Sequence, residues 1–303
     1  MFSRRHPYLF FMLCVASLFA GTALFISIVV GLTMKNGGFA EIVDAGGTRI
    51  GIIEISGIIS EADEILNNIR QFREDDSIKA IVLRINSPGG GAAPSQEIYS
   101  EVLKTVKVKK VVASMGSIAA SGGYYVAACA DRIMASPGTI TGSIGVIIGY
   151  TNFKELLDKI GLAPVVIKSG KYKDIGSPVR EMSDEEKKII QDFTVQVHDQ
   201  FISAIAEGRK LKRSAVETMA DGRIMTGETA KNLGLIDELG NFEDAVALAG
   251  KLAGIEGKIT KVYPKEKHLS FFKFLTGESP REIINRAINS DIFAGYLYSP
   301  NSN

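Results

Sequence analysis

Two glycine-rich stretches, each between a predicted strand and a predicted helix, carry residues whose types and spacing suit catalysis. The first is Asn86-Ser-Pro-Gly-Gly90, and the second is Met115-Gly-Ser-Ile-Ala-Ala-Ser-Gly-Gly-Tyr-Tyr125. Glycine lets backbone amides approach a ligand closely, and at a strand-to-helix turn such amides bind an anion or an oxyanion. No Gly-Lys-Ser/Thr follows the first stretch, which excludes a P-loop, while a plain turn stays the alternative.

Ser121 is the candidate nucleophile in the second stretch. It lies between Ala120 and Gly122 at the start of a predicted helix, where small neighbours leave its hydroxyl uncrowded. The Gly122 amide beside it suits an oxyanion, as at a nucleophile elbow, although Ala119 replaces the first glycine of that pattern. The alternative role for Ser121 is that of a helix N-cap. The second glycine stretch favours catalysis, because an N-cap does not require it.

A serine nucleophile needs a base, and histidine is scarce in this chain. The three histidines are His6, His198 and His268, and His198 lies within a predicted helix as a surface or structural residue. Lysine is the other base for serine; its usual pKa of about 10.4 falls by about 3–5 units on burial. The segment Lys168-Ser-Gly-Lys-Tyr-Lys-Asp174 offers Lys168, Lys171 and Lys173. A solvated basic turn is the alternative.

Strands and helices that alternate from about residue 50 must position these residues. The predicted strands are 49–55, 79–85, 110–114, 132–135, 143–148 and 164–167. The predicted helices are 61–72, 94–106, 121–129, 153–160, 183–207, 214–220, 228–232 and 242–253. Strands that alternate with helices indicate an α/β fold with a parallel sheet flanked by helices.

The N-terminus predicts a membrane anchor. Pro7–Met34 contains no charged side chain and is mostly apolar, and about 20 apolar residues suffice for a transmembrane helix. Arg4 and Arg5 precede it, so the N-terminus is expected in the cytoplasm and the remaining chain across the membrane. A cleaved signal peptide is the alternative. We expect an anchor at 1–34, a tether at 35–48, a catalytic domain at 49–255 and a partly disordered extension at 256–303.

The composition of the chain argues against a nucleic-acid partner, a disulfide framework and a cysteine zinc site. The net charge is +1, which gives no basic excess for a nucleic-acid partner. Two cysteines cannot build a disulfide framework or a four-cysteine zinc site. We expect no metal and no cofactor.

The two glycine stretches, together with Thr141-Gly-Ser-Ile-Gly145 and Ser169-Gly-Lys-Tyr-Lys-Asp174, resemble signal peptide peptidase A, the protease IV family, in its short bacterial form. The resemblance covers roughly residues 48–250. It implies a ClpP/crotonase-like fold and a membrane-anchored serine endopeptidase whose Ser/Lys dyad degrades remnant signal peptides after secretion. It also implies a ring-like homo-oligomer in the cell membrane, with the catalytic domain in the periplasm or outside the cell.

The same resemblance assigns roles to individual residues. Ser121 is similar to the family's nucleophile and Lys173 to its general base, with Lys171 as the competitor. Gly90 and Gly122 are similar to the oxyanion-binding glycines, and Ser143 to a serine that orients the lysine. The dyad forms within one subunit or between two. Signal peptides, other hydrophobic peptides and the lipid bilayer are the implied partners.

Three other functions compete with this interpretation. A ClpP-type Ser-His-Asp triad needs a histidine moderately downstream of Ser121, and the chain has none before His198. A crotonase-type acyl-CoA enzyme also uses glycine amides, but CoA is cytosolic and the predicted anchor sends the domain outward. A non-catalytic membrane scaffold would tolerate loss of the Ser121 hydroxyl.

Overall fold

The computed structural model describes residues 48–264, a strand at 293–297 and scattered positions between residues 6 and 25. The chain divides between Gly47 and Thr48 into two compact units. Among the described positions, no helix combines the length and apolar character needed to span a membrane. Most of the predicted anchor, Pro7–Met34, lies outside the described residues.

The described elements follow one another in an α/β order. The strands are β1 (Thr48–Ser56), β2 (Ile78–Ser87), β3 (Gly89–Gly91), β4 (Lys110–Ala120), β5 (Arg132–Ala135), β6 (Ile140–Gly142), β7 (Ile147–Gly149), β8 (Ile224–Thr226), β9 (Glu238–Leu239), β10 (Ile259–Val262) and β11 (Phe293–Leu297). The helices are α1 (Asp63–Glu74), α2 (Ala92–Thr105), α3 (Gly122–Ala127), α4 (Lys154–Ile160), α5 (Asp184–Arg209), α6 (Arg213–Glu217), α7 (Gly227–Asn232) and α8 (Phe242–Leu252).

A parallel sheet forms the centre of the domain. Its strand order is β10-β1-β2-β4-β5-β9, and β6 adds to the far end of β4 in parallel. Alternate side chains of β2 point to opposite faces of the sheet. Leu83 packs in the core formed with α1, α2, α3 and α5, and Val82 packs in a second core formed with α8. Burial on both faces explains the near-continuous apolar run of β2.

Three further strands form a small antiparallel sheet in the order β3-β11-β7. Its first strand is the short glycine strand between β2 and α2, so this sheet adjoins the point where the central strands end. The parallel sheet with helices on both faces confirms the predicted α/β fold class.

Two strand predictions differ from the structure. Residues 143–146 of the predicted strand 143–148 are irregular and separate β6 from β7, and the segment's last two residues, Ile147 and Ile148, begin β7. The predicted strand 164–167 is wrong: among the described residues it has no pairing partner, and Val165 and Ile167 are 85% and 97% exposed. β-Branched composition alone does not make a strand, because strand stability depends on packing and cross-strand neighbours.

Candidate active site

Ser121 follows the last residue of β4 in a strained backbone conformation. Its φ of 53° and ψ of −119° lie where non-glycine residues seldom occur, a cost of about 1–3 kcal/mol. Its amide donates to the Gly142 carbonyl at 2.8 Å, and its carbonyl accepts from the Tyr125 amide at 2.8 Å. The side chain makes no capping hydrogen bond. Ser121 thus occupies the N-cap position of α3, but its hydroxyl does not cap the helix.

Gly90 and Gly122 meet beside Ser121 in a space too narrow for side chains. A Cβ on Gly122 would lie 3.2 Å from the Gly90 nitrogen and 2.6 Å from Ser95 Oγ. A Cβ on Gly90 would overlap the backbone of Ile59. Only glycine fits at either position, so two backbone amides are brought close together next to a serine. This arrangement can stabilise a developing oxyanion.

Ser143 occupies the position equivalent to Ser121 on the adjacent strand. β4 and β6 pair in parallel with Ala120 opposite Gly142, so the two serines are the next residues along. Ser143 also has a positive φ, 52°, and its amide donates to the Arg223 carbonyl at 2.8 Å. Both serines are buried. Two serines with positive φ therefore follow the ends of two neighbouring strands.

The three candidate lysines lie on an exposed loop and differ in their partners. Lys168 pairs with Asp174 at 2.5 Å, and Lys171 pairs with Glu185. The hydrogen bond with Glu185, then the one with Tyr172, raises the pKa of Lys171 above its ordinary value, so that less of its amine is neutral and free to accept a proton. Among the described residues, no carboxylate lies within ion-pair distance of Lys173. Lys173 is therefore the lysine whose nitrogen has no competing carboxylate.

A charged network anchors the residue that follows Lys173. Asp174 accepts hydrogen bonds from Arg180 Nε at 2.8 Å and Nη2 at 2.9 Å. Arg180 also binds Glu186, whose carboxylate completes the capping box of Ser183 at the start of α5. The hydrogen bond to Arg180, then the one to Lys168, lowers the pKa of Asp174 well below its usual range. The loop end is thus fixed to the first turn of a 26-residue helix.

The structure does not join the two candidate dyad residues within one chain. Ser121 is 1% exposed, whereas Lys173 is exposed on the loop. Within the described region, no hydrogen bond connects Lys173 Nζ with Ser121 Oγ. His198 does not replace the lysine, because its buried Nε2 has no hydrogen-bond partner in the same region. Within the described residues, neither Lys173 nor His198 therefore forms a hydrogen bond with Ser121.

Comparisons with known proteins identify the family. Residues 104–256 match Peptidase family S49, and residues 49–139 match Clp protease. A putative protease of Synechocystis is 42% identical over 245 residues, which cover 80% of this chain and 84% of that protein. The chain belongs to peptidase family S49. It is accordingly a serine-type peptidase, and the Clp protease match agrees with the α/β sheet and its flanking helices.

Two further relatives of this S49 peptidase carry more specific names. A putative signal peptide peptidase SppA of Enterococcus faecium is 38% identical over 222 residues, 68% of this chain and 64% of that protein. Protease 4 of Salmonella typhi is 37% identical over 240 residues, 76% of this chain and 37% of that protein. The chain is thus an SppA-like protease, as the sequence motifs predicted. It spans about a third to four-fifths of the length of these relatives.

The sequence analysis missed Ser95, which lies beside the candidate site. Ser95 is fully buried in the first turn of α2, and its Oγ donates to the Gly91 carbonyl at 2.8 Å. The same oxygen lies against Gly122. A serine four residues after a glycine, at the start of a helix, often bonds that backbone carbonyl, so the spacing was a usable signal.

Replacing Gly122 by alanine is expected to reduce kcat/KM for a peptide substrate by about 100-fold, because misplacing a catalytic group by about 1 Å costs this much. The new methyl group would meet Ser95 Oγ and the Gly90 nitrogen, so one of the two amides must move. Steady-state hydrolysis of a fluorogenic peptide measures the loss.

Gly138→Ala is the matched control, because a Cβ there meets nothing within 4 Å. Ser95→Ala combined with Gly122→Ala should recover part of the lost activity, since it removes the nearest oxygen. Equal activity in Gly122→Ala and Gly138→Ala would show that the Gly122 amide has no part in catalysis.

Proposed function

We propose that this S49 peptidase is a membrane-anchored endopeptidase that uses a Ser121/Lys173 dyad to degrade remnant signal peptides after secretion. Ser121 is the nucleophile, and Lys173 is the general base. The Gly90 and Gly122 amides bind the oxyanion, and Ser143 orients the lysine. The observation that carries the proposal is the strained Ser121, whose side chain makes no capping hydrogen bond, beside two closely packed glycines that leave no room for a side chain of their own.

The proposed reaction is acyl transfer to serine followed by hydrolysis. Neutral Lys173 takes the proton from Ser121 Oγ as that oxygen attacks the scissile carbonyl. The negative charge that develops on the carbonyl oxygen is held by the two glycine amides. Lys173 returns the proton to the departing amine, which leaves an ester on Ser121. Water then loses a proton to Lys173 and attacks the ester, and Lys173 gives that proton to the departing Ser121 Oγ, which releases the second product and regenerates the free serine.

We further propose that Lys173 reaches the serine of a neighbouring subunit. Helix α4 has no buried residue, and together with the segment that follows it exposes several apolar side chains. These include Leu156, Ile160, Leu162, Val165, Val166 and Ile167. A contiguous exposed apolar surface is typical of protein–protein contact. A second copy that covers this surface would also bury Lys173, and burial favours the neutral amine that a base requires.

The proposed location and substrates follow from the sequence at the N-terminus. Pro7–Met34 is the proposed single-pass anchor, with a cytoplasmic N-terminus and the peptidase domain in the periplasm or outside the cell. Signal peptides that secretion leaves in the bilayer would then lie within reach of the site. Their apolar cores and the enzyme's anchor would share one membrane.

Labelling with a serine-reactive fluorophosphonate tests the proposed nucleophile. We expect covalent modification of the full-length protein in detergent at one residue, Ser121, as mapped by peptide mass spectrometry. Prior incubation with a synthetic signal peptide should slow the labelling. Modification of another serine, or none under conditions where the protein hydrolyses the peptide, would refute the assignment of Ser121.

A further inference from the structure

Strand β4 contains a bulge shortly before Ser121. Its regular pairing with β2 ends at Ile85 opposite Met115 and resumes at Ser87 opposite Ala119. Between these two pairs, β2 has one residue and β4 has three. A bulge bends its strand and changes the direction of the residues that follow, and bulges are frequent beside active sites. The bulge therefore determines where β4 delivers Ser121.

The other edge of β4 changes its neighbour at the same place. β4 pairs with β5 as far as Ser114 opposite Met134, and it pairs with β6 from Ile118 opposite Ile140. Among the described residues, 115–117 therefore have no strand partner on that edge. Buried backbone groups need hydrogen-bond partners, so the bulge depends on groups outside the regular ladders.

Two side chains from neighbouring segments supply such partners. Thr139 Oγ1 donates to the Gly116 carbonyl at 2.8 Å, and the same oxygen accepts from the Ser136 amide at 3.1 Å. Thr139 is 2% exposed, so water does not compete for these bonds. On the other edge, Asn86 Oδ1 accepts from the Ile118 amide at 3.3 Å. Asn86 also packs on Gly116, where a Cβ would lie 3.0 Å from its Oδ1.

We infer that Thr139 and Asn86 are positioning residues of this peptidase, which hold the bulge of β4 and thereby fix Ser121 Oγ relative to Gly90 and Gly122. The inference rests on the proposed function, because it takes Ser121 to be the nucleophile. Ser121 has a φ of 53°, and such a conformation persists only where the surrounding structure enforces it. Both residues act through the backbone of β4 rather than on the substrate.

Thr139→Val in the full-length protein tests the first positioning residue, because valine keeps the shape of the side chain and removes its hydroxyl. We expect kcat for a fluorogenic peptide to fall about 100-fold with KM unchanged, since a displacement of about 1 Å at the reacting group costs this much. The rate of fluorophosphonate labelling at Ser121 should fall in parallel. Thr139→Ser keeps the hydroxyl, so its kcat should remain within about threefold of the wild type.

Thr105→Val is the matched control, because it separates positioning from stability. Thr105 is 1% exposed, and its Oγ1 donates to the Glu101 carbonyl at 2.8 Å at the end of α2. Both valine variants lose a buried hydroxyl, so both should lower the thermal unfolding midpoint. Only Thr139→Val should lose kcat. Equal kcat in Thr139→Val and Thr105→Val would overturn the inference.

Asn86 provides a test that does not depend on a buried substitution, because its side chain is exposed. Asn86→Ala removes the acceptor of the Ile118 amide, whereas Asn86→Asp keeps an oxygen there. We expect about tenfold faster hydrogen exchange at that amide and about tenfold lower kcat in Asn86→Ala, with both restored in Asn86→Asp. Faster exchange with wild-type kcat would refute the role of Asn86. The proposed function fails separately, if fluorophosphonate leaves Ser121 of the wild type unmodified.

Discussion

Replacing Ser121 by alanine is expected to lower peptide hydrolysis by about 10⁴-fold or more, because the covalent route requires the hydroxyl oxygen. The thermal unfolding midpoint should change little, since this side chain makes no capping hydrogen bond. Steady-state kinetics with a fluorogenic signal-peptide sequence measures the first effect, and circular dichroism measures the second.

Ser117→Ala is the matched control for that experiment. Ser117 belongs to the same Met-Gly-Ser-Ile stretch, four residues before Ser121, and it is exposed on β4. Its loss should leave hydrolysis unchanged. Hydrolysis by Ser121→Ala at the wild-type rate would remove Ser121 as nucleophile, whatever the result for Ser117.

Replacing Lys173 by methionine is expected to reduce kcat by about 10³-fold, because general base catalysis contributes about 10²–10⁴-fold. Methionine keeps an unbranched side chain of similar length and removes the amine. Lys171→Met is the matched control, two residues away on the same loop. Its exposed ion pair with Glu185 contributes little to stability, so we expect kcat within about threefold of the wild type. A large loss in Lys171→Met with normal kcat in Lys173→Met would reverse the assignment.

Mixed oligomers show whether the dyad forms between subunits. Ser121→Ala keeps the lysine, and Lys173→Met keeps the serine. If a head-to-tail ring supplies each site from two chains, coexpression in equal amounts should restore about a quarter of the sites. A mixture no more active than its inactive components would place both residues in one chain.

The central sheet was largely predictable because its strands carry the pattern that their environment demands. Ile81, Leu83 and Ile85 alternate with Ala80 and Val82 across two cores, and such double burial produces a long apolar run between turn residues. The capping box of Ser183 and Glu186 and the cap at Thr226 are likewise formed by residues three positions apart in the chain. These features depend on residues close in the chain.

The other parts of the fold depend on contacts between residues that are distant in the chain. Residues Met115–Ala120 extend β4 because they pair with β2 and β6. Their side chains do not by themselves favour a strand. Residues 164–167 have strand-forming side chains but no pairing partner among the described residues. β11 lies more than 140 residues after either strand it joins, and no local pattern indicates such a contact.

The candidate site was predictable in residue type rather than in arrangement. Ser121 and Gly122 were indicated by small neighbours at a strand-to-helix turn. The positive φ of both Ser121 and Ser143, and the close approach of Gly122 to Gly90, depend on the register of β4 with its neighbours. Ion pairing distinguishes the three lysines, and it arises from the fold of the loop onto α5.

The anchoring of Asp174 through Arg180 to Glu186 makes the pH dependence of the enzyme simple to interpret. The hydrogen bond with Arg180, then those with Ser183, hold the pKa of Glu186 at about 2, and the pKa of Asp174 is also lowered. Depressed carboxyl pKa values stabilise the folded loop above the unfolded values near 4, and this contribution fades only as pH falls towards 2. Between about pH 5 and 9 the anchor keeps one charge state, so a change in rate over that interval reports proton transfer at the reacting groups rather than rearrangement of the loop.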